Sequence, residues 1–298
     1  MTAYPWLWIV FTIIAAAAQT VRNAMQRELT GTLGTLGATH VRFLFGFPFA
    51  LLFLTVLMLW TGAPLPHTGW AFWLWVLDGS AAQIAATALM LAAMGERSFV
   101  VTIAYIKTEP IQVAVFGLIF LGDVVTVPMM IAIIVATSGV VIMSTKPGGM
   151  VGGIKPTLLG LASGGMFALS AIGYRGGILS LRLPNYIMSA TFTLAVGLVV
   201  TTAMLSSYLA VRAPSVMPAI MRVWRRSLFA GFMGAFASQF WFLAFALATA
   251  ASVRTLALVE VLFAQLVARF AFGQRTTVRE AVGMVLVVAG VVLLILAY

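Results

Sequence analysis

No cysteine occurs among the 298 residues, which removes disulfide frameworks and thiolate metal sites and leaves the redox compartment open. The two histidines, His40 and His67, stand alone and give no metal-ligand spacing. Nothing matches a phosphate-cradling loop with its lysine, a nucleophile elbow or a zinc-protease helix, so no cofactor is expected. Charge is scarce as well. Only 8% of residues are charged while 62% are hydrophobic, far more apolar surface than one soluble core buries, and lipid is the natural solvent for it. A net charge of +10 would suggest nucleic acid in a soluble protein. Here the basic residues lie mostly between apolar runs, where they set orientation, and a nucleic-acid partner is set aside.

What the chain does have is apolar runs of about 20 residues, the length that crosses a roughly 30 Å hydrocarbon layer. Ten are read, at 5–21, 38–59, 70–93, 99–121, 127–143, 156–173, 186–211, 228–248, 253–271 and 278–296. Breaker signals separate them: Gly62-Ala63-Pro64-Leu65-Pro66, Pro147-Gly148-Gly149, Leu183-Pro184-Asn185 and Ala213-Pro214. No connection is long enough for a soluble domain. The alanine-rich start lacks a positive n-region and flows into the first run, so it reads as a retained span and not as a signal peptide. Backbone polar groups in lipid must be satisfied internally, and the runs are too long and too uniformly apolar for barrel strands, so the spans are helices.

Two stretches half a chain apart organise the rest: Tyr105-Ile106-Lys107-Thr108-Glu109-Pro110-Ile111-Gln112 and Leu256-Ala257-Leu258-Val259-Glu260-Val261-Leu262-Phe263. Adding 151 to a residue number carries Glu109 onto Glu260, Gly122 onto Gly273, Gly139 onto Gly290 and Pro5 onto Pro156. The chain reads as one five-helix unit written twice, over residues 1–147 and 148–298. Connections 1–2, 3–4, 5–6, 7–8 and 9–10 with their flanks hold thirteen of the basic residues, whereas the opposite face keeps Arg175, Arg182 and Arg254. An odd-numbered unit inserted twice upside down produces that pattern. The expected fold is an all-α integral membrane protein, ten transmembrane helices as two inverted five-helix repeats. The positive-inside rule puts the basic face in the cytoplasm and both termini outside.

Ionisable groups inside such spans are functional by default. Glu109 falls about ten residues into its span, near mid-membrane. Counted along an unbroken helix, Tyr105 at i−4 and Gln112 at i+3 share its face, a polar stripe suited to a water-filled cavity. Pro110 removes a backbone hydrogen bond and is expected to kink the helix. The bland alternative for Glu109 is a structural partner such as Lys107. Lys107 itself points about 200° away from Glu109 along the same helix, and so needs Glu260, Asp78 or a solute carboxylate. Asp78 has no acidic counterpart in the second half and reads as snorkelling. Arg42 and Arg254, near span ends, read as interfacial anchors. Gln19, Asn23, Gln83, Thr87, Tyr174, Gln239 and Trp241 either bridge helices or face solute. Gly160 and Gly164 form a small-xxx-small pattern that close packing explains. An intramembrane aspartyl dyad needs two mid-depth aspartates, but Asp123 falls in a connection, so an enzyme is the minority reading.

The chain resembles the drug/metabolite transporter superfamily, in its ten-helix branch with two EamA-type repeats. The stretches that carry the resemblance are Thr108-Glu109-Pro110-Ile111-Gln112-Val113-Ala114, Phe120-Leu121-Gly122-Asp123 and Ala136-Thr137-Ser138-Gly139-Val140, and in the second half Val259-Glu260-Val261-Leu262-Phe263-Ala264, Phe272-Gly273-Gln274 and Val288-Ala289-Gly290-Val291. It departs from the family where Gly-Glu-Arg is usual, with Gly122-Asp123-Val124 and Gly273-Gln274-Arg275, and where a proline is expected at Val261. The resemblance implies a multi-pass carrier of the cytoplasmic membrane that works by alternating access, often on amino acids or related metabolites. It also implies cytoplasmic termini, opposite to the charge count. Lys107 and Glu109 fall where the family's fourth helix lines the central cavity.

The expectation is therefore a secondary transporter or exporter of small polar, amphoteric solutes, with Lys107 holding an anionic group and Glu109 and Glu260 holding a cationic group or exchanging protons. An anion exchanger for phosphorylated metabolites or nucleotide sugars is the alternative within transport. A non-transporting sensor or intramembrane enzyme is the alternative outside it. The expected partners are a small-molecule solute, the lipid bilayer and protons as coupling ion, with the chain a monomer or a homodimer.

Overall fold

The computed structural model describes residues 6–96, 105–144, 154–263, 265–266 and 276–298. The start of the fourth expected span, the repeat boundary at 147/148 and the Gly273-Gln274-Arg275 stretch lie outside the described residues. Among those described there is no strand, and most residues are helical. In chain order the helices are α1 (Leu7–Leu44), α2 (Phe47–Thr61), α3 (Trp70–Glu96), α4 (Glu109–Phe116), α5 (Val127–Ser144), α6 (Ile154–Ser180), α7 (Tyr186–Arg212), α8 (Val216–Arg222), α9 (Trp224–Leu247), α10 (Ala250–Leu256) and α11 (Val278–Ala297). A π turn over Gly117–Leu121 extends α4, and a 3-10 turn over Ala257–Val259 extends α10.

Local chemistry sets several of these boundaries. α1 is interrupted at Gly34, whose φ of 66° is open to glycine at little cost. The Asn185 side chain after Leu183-Pro184 accepts from the Ile187 and Met188 amides and starts α7. Thr277 and Glu280 form a reciprocal capping box at the head of α11. Gly122 closes the π turn in the left-handed region.

Five of the described helical segments are long and apolar enough to cross a membrane: Leu36–Thr61, Thr157–Ser180, Tyr186–Arg212, Trp224–Leu247 and Val278–Ala297. This corrects the count of ten. The first and fifth expected spans are present as the shorter apolar helices Leu7–Arg22 and Val127–Met143, and the fourth as Glu109–Leu121. The fourth and ninth are divided by irregular turns next to their carboxylates. α3 fills the third position as a helix of 27 residues without being one of the five. Large apolar side chains such as Leu52, Val56, Leu118, Ile131, Val285 and Leu296 are exposed. Such extensive outward-facing apolar surface, on helices of membrane-crossing length, is what a hydrocarbon solvent requires.

Contacts divide the chain into two units. The first comprises Met1–Ile84 and Gly173–Leu247, the second Ala85–Ile172 and Ala248–Tyr298. Each draws on both sequence halves, and α3 and α6 carry the chain from one unit to the other.

In the first unit α9 lies along α1 and also meets α7 and α2. Phe229, Phe232, Phe236 and Phe240 form a ladder of rings along α9, joined by Phe49 from α2 and Phe11 from α1 at centroid distances of 5.3 and 5.8 Å. Leu29, Leu33, Ala38, Val41, Ile220 and Ala230 form the core where α1, α8 and α9 meet. In the second unit α5 and α11 cross closely because glycines face each other. A side chain at Gly139 would stand 2.6 Å from the Gly283 carbonyl oxygen, and one at Gly290 2.5 Å from the Ala136 nitrogen. Ala136, Val140, Leu258 and Val287 fill the core beside this crossing.

Candidate functional site

The second unit holds two broken helices at positions related by the 151-residue repeat. Helical residues 105–106 give way to a turn at Lys107 and Thr108 before α4 begins at Glu109. Likewise the turn over Ala257–Val259 precedes Glu260. The first break has a clear cause. Pro110, the second residue of α4, has no N–H to give the Ile106 carbonyl, and its ring excludes a regular preceding turn. Thr108 closes that turn instead, through its amide to the Tyr105 carbonyl (3.2 Å) and its hydroxyl to the same oxygen (2.7 Å). The distortion thus lies at Lys107–Thr108, ahead of the proline itself. On the other side, Thr249 caps α10 by accepting from the Ser252 amide at 3.2 Å.

These breaks bring four charged side chains into two ion pairs. Lys107 Nζ lies 3.5 Å from Glu260 Oε2, and Arg254 Nε lies 3.1 Å from Glu109 Oε1. Each pair takes its cation from one sequence half and its carboxylate from the other. The side chains keep 13 to 23% of their surface exposed, so they are neither sealed in a core nor out in bulk solvent. Of the three partners weighed for Lys107, Glu260 is the one present. Glu109 is paired by Arg254 and not by Lys107, which corrects the reading of Arg254 as an interfacial anchor. α10 starts at Ala250, ahead of the expected 253, and Arg254 faces α4 from within it. At these distances the attraction is substantial, because charges beside low-dielectric surroundings are weakly screened.

The remaining candidates fall into place differently. Tyr105 and Gln112 sit against α6, where missing side chains make room. A Cβ at Gly160 would lie 2.7 Å from the Tyr105 Cβ, and one at Gly165 2.7 Å from Gln112 Oε1. Gln112 Nε2 donates to the Leu161 carbonyl at 3.3 Å. The Gly160-xxx-Gly164 pattern therefore seats these two residues. The stripe expected from unbroken helical counting ends at the Lys107–Thr108 turn.

Gln19, Gln83, Tyr174, Gln239 and Trp241 belong to the first unit. Trp241 Nε1 donates to Gln19 Oε1 at 3.0 Å, and Gln239 Nε2 to Thr191 Oγ1 at 2.8 Å. The Tyr174 hydroxyl is buried between Ser80 (3.3 Å) and Thr201 (3.1 Å), under the Phe242 ring. His40, fully buried, meets Ser206 at 3.0 Å. Gln83 is buried. Asp78 is exposed on α3. Among the described residues no group of three or more His, Cys, Asp or Glu side chains could hold a metal ion.

No family model matches the chain, and no curated protein matches it. Among solved structures, a crystal structure of a protein matches with a TM-score of 0.76 at 14% identity, covering 99% of this chain and 98% of that chain. At that identity the likeness is one of fold.

Proposed function

We propose that the protein is a secondary transporter of small polar solutes, working by alternating access in the cytoplasmic membrane, with its two sequence halves acting as inverted repeats of the EamA type. The observation that carries this reading is the reciprocal pairing of Lys107 with Glu260 and of Arg254 with Glu109. Charges in a lipid-facing chain are costly to keep. Two pairs at repeat-matched breaks, each bridging the halves, give a device that a solute can enter by exchanging partners. An amphoteric solute fits it: its carboxylate takes Lys107 or Arg254, and its ammonium takes Glu260 or Glu109. Each ion pair is then replaced by another, and no buried charge is stranded. Glu109 and Glu260, the acidic members of the two pairs, are the candidates for proton coupling.

Anion exchange is the second reading. It calls for arginines inside the protein and not only at its rim, and Arg22 and Arg175 are buried in the first unit. Arg175 is engaged structurally, donating to the Phe245 carbonyl of α9.

Counterflow of labelled solutes into proteoliposomes, across a panel of amino acids, phosphorylated metabolites and cationic drugs, tests both. Accumulation of amino acids that is lost in Lys107→Gln and Glu260→Gln supports the proposal. Accumulation of phosphorylated compounds instead favours exchange of anions. No accumulation across the panel rejects transport and leaves the sensor or enzyme reading.

A further inference from the structure

Two membrane-length helices of the first unit, α7 and α9, pack together and are joined through the short helix α8. Their shared end is basic. Arg212 is the last residue of α7, Arg222 the last of α8, and Arg225 and Arg226 follow the start of α9; all four are exposed. No Asp or Glu occurs between Asp123 and Glu260, and the unit's carboxylates are Glu28 on α1 and Asp78 on α3. The connection that leads into α7 at its other end holds Arg182. At 1.5 Å per residue the 27 residues of α7 run about 40 Å, roughly 10 Å more than the hydrocarbon layer, so its ends reach the headgroups. Arg212 stands at that level.

α8 is held in place from below. Ile220 is fully buried in the core with Leu29, Leu33 and Val41 of α1, and Val216, Met217 and Val223 pack beside it. What it leaves outward is apolar and cationic in alternation: Val211 beside Arg212, Met221 beside Arg222, and Trp224 beside Arg225 are all exposed. The Arg225 guanidinium lies 5.5 Å from the Trp224 ring centroid, and the exposed Leu228 and Phe229 continue the apolar surface along α9. Tryptophan belongs at the boundary between acyl chains and headgroups. A soluble anion would meet the arginines but leave the apolar side chains in water, whereas a phospholipid covers both. Attraction to an anionic leaflet accumulates with each arginine near its surface and needs no convergence of guanidiniums on one atom. We propose that the α7–α8–α9 connection is a docking surface for anionic phospholipid, with Arg212, Arg222 and Arg225 at the headgroup phosphates and Met221, Trp224 and Phe229 against the acyl chains. The surface is read by equilibrium lipid binding and does not depend on a transport cycle, so its failure and the failure of the carrier reading are separate results.

The test uses the full chain purified in a maltoside detergent, titrated with phosphatidylglycerol or with zwitterionic phosphatidylcholine of the same acyl chains. Lipid retained on the protein is counted by native mass spectrometry, and melting temperature is followed in parallel. The expected result is saturable retention of phosphatidylglycerol, tighter than that of phosphatidylcholine. Each of Arg212→Gln, Arg222→Gln and Arg225→Gln should weaken it by about fivefold, the effect of one arginine at an anionic surface. Arg182→Gln, exposed at the other end of α7, should bind as the native chain does. If the glutamine variants do not fold, the native chain and the three Arg→Lys variants give the reading instead. All four should prefer phosphatidylglycerol, and sodium chloride should erode that preference by screening. Equal retention of the two lipids overturns the proposal, as does a preference that salt does not move. Unchanged binding in the three glutamine variants overturns it too, and so does an equal loss in Arg182→Gln. Full displacement of the lipid by sodium phosphate, at an ionic strength where sodium chloride does not displace it, assigns the arginines to a soluble anion and also overturns it.

Discussion

The two units solve the same problem, polar groups in an apolar chain, by different means. In the first, side-chain hydrogen bonds mostly join neutral groups, Tyr174 with Ser80 and Thr201, Trp241 with Gln19, Gln239 with Thr191 and His40 with Ser206, and the buried Arg175 donates to a backbone carbonyl. They lie within regular helices and hold α1, α3, α6, α7 and α9 to one another. In the second, the polar interior is built from full charges, and these stand where the helices are broken. Neutral bonds inside a low-dielectric interior specify packing and have little reason to exchange. Paired charges at irregular backbone are costly to keep for stability alone and can change partners. The difference sets a mostly neutral network in the first unit against paired charges in the second, the cluster on which the proposed function rests.

That contrast can be broken by measurement. The largest expected effect is on function: Glu109→Gln removes the titratable group, so transport should lose its dependence on a pH gradient while solute binding persists. Flux assays at imposed gradients check this, and unchanged coupling rejects the role of Glu109. Next, Lys107→Ala leaves Glu260 without its cation and should lower stability by about 2 kcal/mol, less than the 3–5 of a fully buried pair because these side chains keep some exposure. Lys107→Ala combined with Glu260→Ala should be more stable than either single change, and thermal denaturation in detergent reads this. Tyr174→Phe should cost about 1 kcal/mol through its hydroxyl bonds, without altering solute specificity. Asp78→Asn, exposed on α3, should stay within about 0.5 kcal/mol of the native chain.

Much of this was legible in the sequence. A glutamate inside an apolar run is rare enough to stand out, and the repeat of 151 residues doubled the signal at Glu109 and Glu260. The starts read for the seventh and tenth runs, 186 and 278, coincide with the helix starts that Asn185 and Thr277 cap. Arg254 was less legible, because its depth depends on where α10 starts, and Thr249 sets that start earlier than hydropathy suggests. Tyr105 was placed on the face of Glu109 by counting through a helix that is in fact interrupted, whereas Gln112 shares the unbroken α4 with Glu109. Their actual neighbours are the glycines of α6, a long-range contact that a missing side chain permits but does not announce. The span count was overestimated for a related reason: hydropathy does not register where a run is broken by a turn.

The absence of native cysteine gives direct access to the central claim, that Glu109 and Glu260 face water and not lipid or a sealed seam. Cysteine placed singly at 109, at 260 and, as a lipid-facing control, at the exposed Leu118 can be challenged in proteoliposomes with a small membrane-impermeant thiol reagent added to either side. The account predicts labelling at 109 and 260, slowed by bound solute, and none at 118. Positions 109 and 260 that stay as unreactive as 118 from both sides would contradict it.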